Sequence, residues 1–353
     1  MSDTGLDVAA GPAPVPPKPS QDRWLSRLLR ERSVRVAAVG WVAANALVVA
    51  VGSGGLPFDW PTLPGRAASE RLVETNLALL EVFALMGVVY LLTRRRAAPD
   101  LAARAPRRVV ARRETVALLA YGVLGLIGGF FLARSFGWHP FGLHLAGTLY
   151  GTHQHVEPAE AVVWAAYNLI VYAVAPLIFF RRRYSATALN LTSTNRGNDA
   201  LVMVVVLLIE SVVQVLALKP AILDLSTRQL ALGVPLTFVL YLAGAVLPAM
   251  VFIYAILVPR YLRLTGSTAT TVILAGLTYT LLHLWDAWTV FNSPRSAVLS
   301  VIFLLFTYFG PGMIKAVLTV RTGNAWVHVL AYHALAPHTL GDTTHMVEVF
   351  DIR

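Results

Sequence analysis

The residues able to do chemistry are few, and they stand inside long apolar runs. Glu81, Glu210, His283, Asp286, His328, His333 and His338 interrupt segments built otherwise of Val, Leu, Ala and Phe. An ionisable side chain in such a run costs free energy to bury, so each is a candidate for function or for a hydrogen bond between helices. Tyr279 and His283 are four apart and share one face of a helix, and Asp286 follows three residues on. His283 and His333 are separated by enough chain for one intervening span, so both can reach a similar depth. Two facing imidazoles could hold a metal or a water, or stabilise an oxyanion. Packing contacts between helices are the alternative.

Those side chains need elements to hold them, and the elements are membrane helices. The chain is 56% hydrophobic and only 14% charged. A soluble surface takes about a quarter of its residues from Asp, Glu, Lys and Arg, so this chain has too few for one. A helix needs roughly 20 mainly apolar residues to cross the hydrocarbon. That rule gives an all-α membrane bundle of eight or nine spans, at about 36–53, 72–93, 114–133, 159–180, 199–218, 232–258, 268–290, 297–314 and 323–340. Residues 341–353 are then a tail. Residues 1–35 read as a Pro-rich disordered tail, with no signal peptide, ending in a basic amphipathic helix on the membrane surface.

The net charge is +10. Basic residues at the ends of apolar runs point to anionic headgroups rather than nucleic acid. With the N-terminus in the cytoplasm, the inner segments hold 22 of the 29 Lys and Arg, as the positive-inside rule expects of a multi-pass plasma-membrane protein. The segment 94–113, with eight Arg, reads as a solvated loop or short surface helix. The absence of cysteine excludes disulfides, thiolate ligands and a cysteine nucleophile. In the loop 134–158, His153, His155 and Glu157 alternate, as metal ligands on an extended chain would. The other reading of this loop, which also carries His139 and His144, is a segment at headgroup level. Glu74 and Glu160, near the starts of their spans, are expected to be solvated there.

The last third of the chain resembles the CPBP family, the type II CAAX prenyl endopeptidases and bacteriocin-processing proteins. Tyr279-x-x-x-His283 is similar to the family's Phe-x-x-x-His. Phe309-Gly310-Pro311-Gly312, Thr322-Gly323-Asn324-Ala325-Trp326 and Tyr332-His333-Ala334-Leu335 resemble the approach to its His-x-x-x-Asn motif, with Pro337 and then His338 where Asn or Asp is usual. Pro248 and Pro259-Arg260 match the flanks of its Glu-Glu-x-x-x-Arg motif, but Ala249, Met250 and Tyr254 stand in the motif itself. The resemblance implies five variable helices over 36–231 and a core over 232–340. It also implies an intramembrane endopeptidase acting on a membrane-associated peptide or protein, with His283 and His333 at the oxyanion and Tyr279 and His338 beside them. Glu210 or Asp286 would then replace the missing glutamates as the group that activates water. No cofactor is required by that reading, though a metal at His283 and His333 is compatible with it. A silent homologue acting as scaffold, chaperone or immunity factor, or a transporter, are the alternatives.

Overall fold

The computed structural model describes residues 28–52, 55–58, 67–146, 155–218 and 221–353. All regular structure among them is helical. The long helices are α1 (Arg32–Val51), α2 (Ala68–Thr93), α3 (Arg108–Ser135), α4 (Pro158–Arg181), α5 (Arg196–Leu218), α6 (Thr227–Thr265), α7 (Thr268–Leu281), α8 (Pro294–Thr322) and α9 (326–349). Seven of these, all but α7 and α9, are long and apolar enough to cross a membrane. The protein is a multi-pass membrane bundle.

Start and stop signals set the boundaries. Ser226, Ser267 and Ser293 cap α6, α7 and α8 through their hydroxyls, and Pro294 opens α8. Gly266 and Gly323 end α6 and α8 with φ of 67° at both, a left-handed conformation that a Cβ would strain.

Four prolines stand where a helix widens. Pro176, Pro248 and Pro259 each follow a π-helical stretch (Leu169–Val174, Leu242–Val246 and Met250–Leu257), and Pro337 lies inside a fourth, Val329–Leu340. A proline ring clashes with the carbonyl four residues back, and a wider turn relieves the clash. The short echo of Ala-Val-Ala-Pro (173–176) and Ala-Val-Leu-Pro (245–248) therefore marks two similar widenings.

Helix α6 runs through the middle. Ala249 to Tyr261 are buried without a break, as befits a helix that is apolar all round. Helices α7 and α8 form the closest pair, with Gly276 against Gly312. Helix α2 packs on α8, and α5 on α9. The first five helices thus interleave with the last four.

Several expected boundaries move. Helix α7 has 14 residues, about 21 Å, and stops at Leu281 rather than near 290. Helix α8 continues to Thr322, so Lys315 is a buried core residue and not part of a loop. Helix α6 spans Thr227–Thr265 instead of 232–258. The expected tail carries a helix, Gly341–Val349, packed on the start of α6. Of the amphipathic segment before α1, only residues from 28 onward are described.

The segment 94–113 carries a short helix, Leu101–Arg104, and most of its arginines are exposed, but Arg96 and Arg104 are tied into the bundle. Arg96 pairs with buried Asp199 and donates to the Thr322 carbonyl at 2.6 Å. Arg104 donates to Asn190 Oδ1 and the Gly323 carbonyl, both at 2.7 Å. Burial, then the charge of Arg96, pushes the Arg104 guanidinium below its usual range. Asn324 Nδ2 donates to Asp199 at 2.9 Å. The Thr322–Trp326 run is thus the turn between α8 and α9, clasped from two sides. Nearby, Arg260 ion-pairs with Glu114 at 2.7 Å between the rings of Phe180 and Tyr184. Burial, then its bond to Glu114, raises the Tyr184 phenol.

Candidate functional site

Helix α7 ends at Leu281 and the chain turns. His283 N bonds the Thr280 carbonyl, and Asp286 N bonds the His283 carbonyl, both at 3.0 Å. The turn carries His283 and Asp286 into the core instead of along a helix face. His283 Nδ1 lies 2.7 Å from the Tyr279 carbonyl. A carbonyl only accepts, so Nδ1 carries the proton and neutral His283 presents a lone pair at Nε2. Its ring stacks on Tyr308 of α8, centroids 3.8 Å apart.

A second loop meets this turn. Gly142 accepts at its carbonyl from Trp164 Nε1 (2.9 Å) and Asn168 Nδ2 (2.8 Å), and Leu143 N donates to the Leu282 carbonyl. A Cβ on Gly142 would sit 3.5 Å from Asp286 Oδ1. This brings in His144, whose ring lies 5.0 Å from His283 and 5.1 Å from His338. The Tyr308 hydroxyl donates to Asp286 Oδ2, and His144 Nδ1 lies 3.0 Å from that hydroxyl and 3.7 Å from the carboxylate. Tyr308 has one proton to give, so His144 is the donor to its oxygen. Trp288 Nε1 adds a bond of 3.3 Å to the same carboxylate oxygen.

Helix α9 supplies the third side. His328, His333 and His338 are five apart. On an α-helix that spacing turns them about 140° from one another. The π-helical stretch closes its bonds five residues back, so these rings follow each other along one side at 5.8 and 5.2 Å. The Tyr279 hydroxyl lies 3.0 Å from His333 Nε2. If the phenol donates there, Nδ1–H of His333 is free as a donor. At Gly341 the helix returns to α geometry, and Asp342, four on from His338, reaches its Nδ1 at 3.2 Å.

Five of the six residues singled out from sequence therefore meet: Tyr279, His283, Asp286, His333 and His338. Glu210 does not join them. It is buried on α5 beside Gln214 and Glu81. Lys315, its ammonium 3.8 Å above the Tyr279 ring, stands between the two groups. Glu160, expected in water, is buried and bonds His139 Nδ1 at 2.8 Å. His155 is exposed, Glu157 accepts from Trp138, and His153 lies outside the described residues.

His144, Tyr308, Asp342 and Lys315 were not foreseen. The five-residue histidine spacing with a proline beside it was the signal available for α9. Phe141-Gly142-Leu143, apolar ahead of His144, was the signal for the loop.

Among the described residues, Nε2 of His283, Nδ1 of His333, both ring nitrogens of His328 and Oδ1 of Asp286 meet no hydrogen-bonding group of the chain. Buried polar atoms without partners are rare. Here they cluster around Tyr279 and His283. Also among the described residues, no three His, Asp or Glu side chains converge as ligands of one metal ion, at His283 and His333 or elsewhere.

No protein-family model, curated protein or solved structure matches the chain. The fold defines it as a polytopic α-helical membrane protein, with a cluster of buried histidines, tyrosines and an aspartate inside the bundle.

Proposed function

We propose that this protein is an intramembrane hydrolase of the CPBP kind, an endopeptidase that cuts a membrane-associated peptide or protein. The observation that carries the reading is the meeting of His283, Asp286, His144 and Tyr308 with Tyr279 and His333 in one buried place.

The protonation pattern suits hydrolysis. His283 Nε2 and Asp286 Oδ1 are unpartnered acceptors at one turn. Water donating to either becomes a better nucleophile. With the Tyr279 phenol donating to its Nε2, His333 carries its proton on the unpartnered Nδ1, a donor suited to an oxyanion. Asp286 takes the place that the family's glutamates hold, and His144, Tyr308 and Trp288 orient it. Glu210 has no part in this chemistry.

The arginine-rich ends of α2, α3 and α4 favour the cytoplasmic side of a plasma membrane, which puts the N-terminus inside and the start of α8 outside.

The test is a comparison of peptide termini in membranes of a strain lacking the gene, complemented with the wild type or with His283→Ala. General-base losses run to about 10²–10⁴-fold, so the variant should yield almost none of the wild-type products. Equal products from both would sink the proposal, provided both reach the membrane in equal amounts.

A further inference from the structure

A second group of buried polar atoms lies one helix away from the histidines. Helices α2 and α5 pack together, and the carboxyls of Glu81 and Glu210 come within hydrogen-bonding reach across that contact. Gln214, one turn on from Glu210, donates from Nε2 to Glu210 Oε1 at 2.9 Å. That uses the amide's donor side. Among the described residues, Glu81 Oε1, Glu210 Oε2 and Gln214 Oε1 then meet no donor. All three atoms are acceptors.

We propose that Glu81, Glu210 and Gln214 hold a monovalent cation, a proton or a sodium ion, at the contact between α2 and α5.

The chemistry is that of orphaned oxygens. Two carboxylates side by side in hydrocarbon repel each other, and a shared proton or a small hard cation removes the repulsion. A sodium ion would meet all three oxygens, whereas a shared proton would bridge the two carboxyls and leave Gln214 Oε1. An added side-chain donor would satisfy them too, but none of the described residues offers one.

Lys315 is the independent observation. It comes from α8 and is 1% exposed, so a basic group is buried beside the two carboxyls. It rests over the ring of Tyr279 at 3.8 Å, with Tyr332 of α9 at 5.7 Å, and its charge acts on Glu210 and on His328 and His333. The site sits beside the histidine centre without belonging to it.

The full chain in nanodiscs, with no substrate, tests this. Infrared difference spectra across a pH titration read the carboxylic acid band. Thermal unfolding in sodium against choline chloride at constant ionic strength reads sodium. If the cation is a proton, the wild type shows a protonated carboxyl at neutral pH that disappears in Glu210→Gln, with no sodium effect. If it is sodium, unfolding shifts upward with each tenfold rise in sodium, and Glu210→Gln abolishes the shift. Glu81→Gln serves as a second, equally isosteric variant should the first fail to fold. A wild type with neither a protonated carboxyl nor a sodium-dependent shift overturns the proposal. Neither readout involves peptide cleavage, so the outcome is independent of hydrolase activity.

Discussion

At the scale of single residues, the account separates a group that reacts from a group that orients. Asp286 has one oxygen taken up by Tyr308 and Trp288 and one left free. Asp286→Asn places an amide donor where water should be activated. Its expected effect on cleavage is a loss of about 10²–10⁴-fold. Tyr308→Phe keeps the ring on His283 and removes one hydrogen bond to Asp286, so a smaller loss of about tenfold is expected. Initial rates of product formation, scaled to protein in the membrane, check both. An equal loss in the two variants would count against Asp286 as the reacting group. Sequence spacing brought Tyr279, His283 and Asp286 together for a reason that was half right. Tyr279 and His283 do touch, but a helix face does not carry Asp286 to the site. The turn at Leu282 does, and nothing in the local residue types marks a helix stop there.

At the scale of elements, two devices hold the centre. One is the widened stretch of α9, which lines up three histidines that an ordinary helix would scatter. The other is the close approach of α7 and α8. A Cβ on Gly312 would sit 2.8 Å from both Gly276 Cα and Tyr279 Cβ. Small residues let membrane helices approach this closely. Gly312→Leu must therefore push Tyr279 aside or part the helices. Overpacking of this kind costs about 1–3 kcal/mol, and the expected result is a lower unfolding midpoint with cleavage lost. Gly87, which has open space around it, gives the control: Gly87→Ala should leave both unchanged. The periodic apolar runs revealed every long helix because hydrocarbon imposes length and composition. They did not reveal the π-helical stretches or the re-entry of His144, because those depend on tertiary packing around prolines and on Trp164 and Asn168 holding one carbonyl.

At the scale of the whole molecule, the arrangement is a bundle with one basic end. The exposed arginines at 94–95, 107–108, 112–113 and 181–183 gather there, and the Thr322–Trp326 turn is pinned at the same end. Positive residues favour the cytoplasmic side, so the proposal puts this end inside. Because the chain has no cysteine, single substitutions report it directly. Ser185→Cys should react with an impermeant maleimide only after the membrane is opened, and Asn292→Cys should react in intact cells. The reverse pattern would invert the topology. The charge count gives this orientation as an expectation from sequence, with Lys315 removed from the inner tally because it is buried in the core. Helices α2 and α5, from the half expected to vary, pack directly on α8 and α9 of the expected core.

The central claim is that the buried histidine–aspartate centre hydrolyses peptide bonds. The most direct measurement places the purified full chain in nanodiscs with membranes from the strain lacking the gene, in water enriched in oxygen-18. Hydrolysis must put solvent oxygen into each new C-terminus. The account predicts labelled C-termini with the wild type and none above background with His283→Ala or Asp286→Asn. New termini that appear equally with all three proteins, or no new termini with the wild type, would contradict it.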